Sequence, residues 1–168
     1  MDMYLYEKKE MKETSFDSVK LREVASNFAT GVTVVSTHTP EGDIHGMTAS
    51  SFLSVSLNPP LVLFSVKKEN QLAQWLEIEK LIGISILTEE MQSISNHFAK
   101  IELMSNPPQF KLEQGAPVLH NTAAWYCTKI HEIISAGDHF LVLCLVLNLD
   151  SNPNTKPLIY QKGYKKLG

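Results

Sequence analysis

The stretch Gly46–Val66, GMTASSFLSVSLNPPLVLFSV, decides how the chain is read. Its second half is strand material. "FLSVSL" alternates, which predicts Leu53, Val55 and Leu57 on one half-buried face and Ser54 and Ser56 on the other. "NPP" then breaks the chain, and "LVLFSV" is a near-continuous apolar run that suits a central strand. The first half is different in kind. Thr48, Ala49, Ser50 and Ser51 are all small, and three of the four carry hydroxyls. Such residues make poor core. They suit a place where a ligand lies close to the main chain and takes hydrogen bonds from N–H and O–H groups. A polar turn would have the same composition, because Ser and Thr are common in loops.

Upstream, Leu21, Val24, Ala25 and Phe28 recur at helical spacing and predict an amphipathic helix from Ser18 to near Gly31. "GVTVVSTH" is a β-branched strand, "PEGD" a turn, and "IHGMTASS" should return antiparallel. Downstream, "NQLAQWLEIEK" places Leu72, Trp75 and Leu76 on one helical face, and "LIGISIL" is a strand. In "TEEMQSISNHFAKI", Thr88 is the expected N-cap, with Glu89 and Glu90 in the first turn and Met91, Ile94, Ser95 and Phe98 on one stripe. "AAWYCTKIHEII" and "FLVLCLVLNLD" read as strands joined by a hairpin at "SAGDH", and "KPLIYQKGYKK" as a closing strand. Residues 1–15 read as a polar tail or arm, leaving 16–168 as one domain.

About seven strands linked mostly by hairpins, with about three helices, predict a mainly β fold. An antiparallel barrel with helices packed outside suits this order better than a doubly wound parallel sheet. Composition excludes several function classes. The net charge is −3 and no basic run exceeds two lysines, so no nucleic-acid footprint is expected. The longest apolar run, "FLVLCLVLNL", is too short to cross a bilayer as a helix, so no membrane partner is expected. "MDMYLYEKKEMKETSF" has no apolar h-region, and two cysteines form no disulfide framework; a cytoplasmic setting is expected.

Other candidate sites each have an ordinary counterpart. Ser65 and Lys67 sit two apart on a strand, so a hydroxyl and an ammonium project together, as a phosphate grip or as a solvated strand end. His139 follows Asp138 at the start of a strand, either to orient a polar group or as the wall of a turn. The six histidines show no ligand spacing, so no metal is expected. No G-x-S-x-G elbow, G-x-G-x-x-G or Walker loop occurs, which argues against a serine hydrolase and against the common nucleotide-binding loops.

The order of the pieces carries a resemblance. "FATGVTVVST", "GMTASSFLSVSLNPPLVLFSVKKEN", "SISNHFA", "AGDHFLVL" and "PLIYQKGY" together resemble the flavin reductase-like family, the FMN-binding split-barrel group, from about Leu21 to Tyr164. That group includes the small reductase components of two-component flavin monooxygenases. The resemblance implies an antiparallel split β-barrel and an NAD(P)H:flavin oxidoreductase acting on FMN, with FAD possible, and NADH or NADPH as hydride donor. It implies a homodimer with a flavin-dependent monooxygenase as a further partner. Met47, Thr48, Ala49, Ser50 and Ser51 would lie along the flavin, with Ser65, Val66, Lys67, Phe98 and Ala99 in the same pocket. His139 and Tyr164 would lie near the nicotinamide, with no residue acting as acid or base. The alternative is an FMN-binding electron-transfer protein without nicotinamide turnover. It draws on one departure: Cys144-Leu145 stands where many relatives carry Gly-Glu.

Overall fold

Twelve strands and two α-helices occur among residues 17–167, which the computed structural model describes; the polar arm expected over residues 1–15 lies outside them. The strands are β1 (Thr30–Gly31), β2 (Thr33–His38), β3 (Ile44–Ala49), β4 (Leu53–Leu57), β5 (Pro60–Lys67), β6 (Leu81–Ile86), β7 (Phe110–Glu113), β8 (Ala116–Leu119), β9 (Ala124–Ala136), β10 (His139–Ser151), β11 (Ile159–Tyr160) and β12 (Tyr164–Lys165). The helices are α1 (Ser18–Ala25) and α2 (Gln92–Phe98). Seven strands form one sheet in the order β3-β2-β6-β9-β10-β5-β4, and every pairing is antiparallel. The expected β9–β10 hairpin turns on Gly137 and Asp138, with Gly137 at φ +58°.

The two outer strands, β3 and β4, do not pair, so the expected barrel is open along that seam. The sheet nonetheless curls, because strands from its opposite ends share a core. Val35 and Met47 from one end pack in the same buried cluster as Val62, Phe64 and Val66 from the other. Hydroxyls in the central strands receive a second layer. Ser36 Oγ donates to the carbonyl of Pro117 at 2.6 Å, and Ser85 Oγ accepts the N–H of Leu119 at 2.9 Å, which seats β8 across β2 and β6. Gly83 completes the seat: a Cβ there would stand 1.7 Å from the Pro117 carbonyl oxygen.

Several expectations fail, each because a tertiary contact overrides a local signal. Leu53, Val55 and Leu57 are exposed, Leu57 by 90%. Leu53 pairs with Leu63, which alternates with the buried Val62 and Phe64 and so lies on the outer face; a bulge follows at Ser54–Ser56. Two α-helices form where about three were expected. "NQLAQWLEIEK" supplies only a 3-10 turn at Gln71–Trp75, because the Glu79 N–H already bonds to the Ile130 carbonyl and draws the chain into the sheet. Thr88 does not cap α2. It forms a bridge with Pro157, and the Glu89 N–H bonds to Lys156, so the helix begins at Gln92 behind Met91 and Glu89 and Glu90 lie outside it. α1 is capped by the Asp17 carboxylate, ends at Ala25 rather than near Gly31, and buries none of its residues. The closing strand is two short pieces, β11 and β12, paired in a small sheet with β1.

The seat for β8 is testable. Gly83→Ala forces Cβ into a backbone carbonyl, an overpacking cost of about 3 kcal/mol, so the thermal unfolding midpoint should fall by roughly 6–12 °C. Calorimetry of the variant checks this, and an unchanged midpoint contradicts the seat.

Candidate functional site

The small residues at the end of β3 stand where three elements converge. Thr48 Oγ1 donates to the Ser95 carbonyl of α2 at 2.7 Å. Gly46, two residues earlier, lets the Phe98 ring come so near that a Cβ would lie 2.8 Å from it. Ser51 works in both directions on β5: its hydroxyl accepts the Ser65 N–H at 3.0 Å and donates to the Ser65 carbonyl at 3.2 Å. One hydroxyl therefore ties the β3–β4 connection to β5, continuing the β4–β5 register beyond Leu53.

Between these anchors the main chain leaves both ladders. The N–H groups of Ser50, Ser51 and Phe52 are taken by no backbone or side-chain acceptor among the described residues. Ser50 is exposed and Ala49 buried. Free amides beside a methyl and an unengaged hydroxyl fit the polar edge of a flat ring laid against the backbone.

A cleft of about 780 Å³ opens beside this turn. Its walls are His45–Thr48 on β3, Lys67 and Glu69 at the end of β5, Gln71 and Gln74 of the 3-10 turn, and Phe98–Lys100 at the end of α2. A second hollow of about 210 Å³ shares Thr48 and Ala99 with it and adds Ser50, Tyr160 and Tyr164. Tyr164 is fixed from below: its hydroxyl donates to Asn96 Oδ1 at 2.9 Å and takes a bond from Ser95 Oγ at 2.9 Å. Met47, Thr48, Lys67, Phe98 and Ala99 thus line the cleft, and Thr48, Ser50, Ala99 and Tyr164 line the adjoining hollow.

The remaining expected residues stand apart from that groove. Val66 is buried in the core. Ser65 is spent on Ser51 through its backbone. His139 stands opposite Lys67 across the β5–β10 ladder, with Nδ1 2.7 Å from the Asp138 carboxylate. That hydrogen bond holds the Asp138 carboxyl below its usual range. Cys144, the first residue of the Cys144-Leu145 departure, is fully buried between Val62 and Ile130, and burial pushes its thiol up to about 12. It is a packing residue and lines no cleft.

Sequence reasoning missed His45, Lys100 and the polar turn Asn70–Gln74. His45 packs edge-on against Trp75, ring centroids 4.9 Å apart, and burial, then the nearby Lys100 charge, lowers its pKa below the ordinary histidine value. Lys100 occupies φ +57° just past α2, a conformation usually left to glycine. No spacing rule picks out either residue, because chain reversal alone brings them together.

The family model of the flavin reductase like domain matches residues 25–168, and the chain belongs to the flavin reductase-like family. Among curated relatives, the NADH-dependent flavin reductase StyB of Pseudomonas fluorescens is 35% identical over 131 residues, covering 77% of this chain and 76% of that protein. The reductase component of 4-hydroxyphenylacetate 3-monooxygenase of Thermus thermophilus is 36% identical over 148 residues, covering 87% and 94%. A probable flavin reductase of Rhizobium meliloti is longer; the chain spans 48% of its length at 35% identity. Among solved structures, flavin reductase PheA2 in its native state superposes with a TM-score of 0.84 at 33% identity, covering 91% of this chain and 99% of that one. The NADH:FAD oxidoreductase SgcE6 of Streptomyces globisporus, in complex with NAD and FAD fragments, gives 0.83 at 32% identity over 90% and 93%.

The Ser51 tie to β5 makes a structural prediction. Ser51→Ala leaves the Ser65 N–H and carbonyl without their partner, a cost of about 1–2 kcal/mol and roughly 2–8 °C in midpoint. Hydrogen exchange at the Ser65 amide should accelerate in the same variant; protection equal to the parent's would refute the tie.

Proposed function

We propose that the chain is an NAD(P)H-dependent flavin reductase whose flavin lies along the Thr48–Phe52 turn, and that it supplies reduced flavin to a partner oxygenase. The observation that carries the placement is the run of three unengaged backbone N–H groups at Ser50, Ser51 and Phe52, of which Ser50 lines the smaller hollow. Bound together, a reduced nicotinamide supplies a hydride and the flavin ring accepts it. The protein's own task is to hold two rings with reacting atoms roughly 3–3.5 Å apart and to keep them ordered. The free amides offer hydrogen bonds where negative charge gathers as the ring is reduced. Thr48 and Ser51 hold the turn rigid through Ser95 and Ser65, so those donors are set before the ligand arrives. Phe98, seated against Gly46, and Met47 give the groove its apolar wall.

None of this requires a nucleophile or a strong base. The buried thiols of Cys127 and Cys144 are unbridged, in keeping with a reducing cytoplasm. The electron-transfer alternative drew on the Cys144-Leu145 departure, and neither residue lines the groove: Cys144 is in the core and Leu145 on the outer face of β10.

The working unit is a homodimer. Leu53, Leu61, Leu63, Leu143 and Leu145 share the outer face of β4, β5 and β10, at positions directly opposite one another in the ladders. A leucine-rich outer face needs a cover, and a second copy supplies one. His139 and Lys67 also meet across that ladder, so the cover would lie beside the groove.

Two measurements test these readings. Adding FMN to the purified protein should produce flavin-dependent loss of the dihydronicotinamide absorbance, and Ser50→Leu should raise the flavin Kd about tenfold or more without moving the unfolding midpoint. No FMN-dependent oxidation would defeat the enzyme assignment. For assembly, sedimentation should give twice the chain mass, and the double variant Leu53→Glu with Leu63→Glu should sediment as one copy; a monomeric parent would refute the dimer.

A further inference from the structure

We propose that Asn96 is a positioning residue: it fixes the Tyr164 ring as a wall of the smaller hollow, where a planar ring of the reaction packs. The proposal rests on the flavin reading above. Thr48, Ser50, Tyr160 and Tyr164 all line that hollow, so the hydroxylated turn and two aromatic side chains bound one space. Flat apolar faces beside a few hydrogen-bonding groups suit a heteroaromatic ring.

The backbone does little to hold Tyr164 in place. β12 has two residues and pairs with β11 at two positions, Ile159 with Lys165 and Tyr160 with Tyr164. The ion pair that follows, Lys166 with Glu90 at 3.3 Å, is exposed at both ends and contributes little. So short a segment leaves the aromatic side chain to be fixed by its own contacts. Tyr160 supplies one, edge-on, with ring centroids 5.5 Å apart. α2 supplies the rest: the Tyr164 hydroxyl donates to Asn96 Oδ1 and accepts from Ser95 Oγ, both at 2.9 Å. Donor and acceptor roles of the phenol are then both taken, which gives the ring one preferred setting.

Asn96 is a poor choice for α2 on local grounds. Asparagine weakens helices because its side chain competes for nearby backbone groups. Asn96 lies inside the seven-residue α2, yet its side-chain oxygen serves Tyr164, 68 positions away. Its main-chain carbonyl accepts the Ile101 N–H at 3.0 Å, and Ile101 lines the same hollow. Ser95 beside it is fully buried, and its carbonyl accepts the Thr48 hydroxyl. Two adjacent helix residues thus set three walls of the hollow, Thr48, Ile101 and Tyr164. The Asn96–Tyr164 bond joins two half-buried side chains, so it can be removed without opening the core.

The flavin and the nicotinamide both present a planar heteroaromatic ring, so the test reads each separately. The Kd of riboflavin reports the first. The KM for NADH or NADPH, whichever the parent oxidises, reports the second at saturating FMN. Both are measured in the parent, Asn96→Leu, Asn96→Ala, Asn96→Asp, Tyr164→Phe and the double variant Asn96→Leu with Tyr164→Phe. One of the two constants should rise about fivefold in Asn96→Leu and in Asn96→Ala. Asn96→Asp keeps an acceptor for the Tyr164 proton and should restore the parent's value. Tyr164→Phe should show the same rise, and adding Asn96→Leu to it should change that constant by less than twofold, because the shared bond is already gone. The constant that moves identifies which ring packs there. Both constants within twofold of the parent in Asn96→Leu and Asn96→Ala overturn the proposal. Losses that multiply in the double variant also overturn it, since Asn96 would then act independently of Tyr164. Either result leaves the flavin reading intact. A parent that binds no riboflavin and oxidises neither dihydronicotinamide with FMN present overturns both.

Discussion

The seam between β3 and β4 governs this molecule. A sheet that curls until its outer strands come together has two choices: complete the ladder, or leave a gap and hold it by other means. Here the gap stays, and the Ser51 hydroxyl ties the connection between the two strands to β5, accepting the Ser65 N–H and donating to the Ser65 carbonyl. The N–H groups of Ser50, Ser51 and Phe52 lie in that connection, outside both ladders.

The residues around the seam follow from that constraint. Gly46 is bare because Phe98 must come within contact of β3, and Thr48 is short and hydroxylated because it ties the same helix end to the strand. Hydride transfer between two cofactors asks a protein for position and a few hydrogen bonds. The flavin reductases that superpose on this chain keep the same architecture at about one-third identity, as expected if backbone geometry carries most of the function.

Where sequence and structure part, the causes are local signals outweighed by long-range contacts. Thr88 has the composition of a helix cap, but pairing with Pro157 captures it first. The Leu72–Leu76 stripe has helical spacing, yet the chain is committed to β6 within a few residues and completes only a 3-10 turn. The β7–β8 hairpin escaped notice because its strands are four residues each, although Gln114-Gly115, both at positive φ, is a recognisable turn. Alternation in "FLSVSL" correctly marked a strand but not its buried side, since only the register with β5 decides which face looks inward.

The sequence by itself determined the strand-rich fold class, the β2–β3 and β9–β10 hairpins, and the family. Those features depend on neighbours close in the chain or on an ordered set of motifs. Only the tertiary structure decided which hydroxyls remain available, that Val66 and Cys144 belong to the core, and that His45 and Lys100 share a cleft. Those outcomes depend on residues tens of positions apart meeting across a curled sheet, and no local pattern encodes that distance.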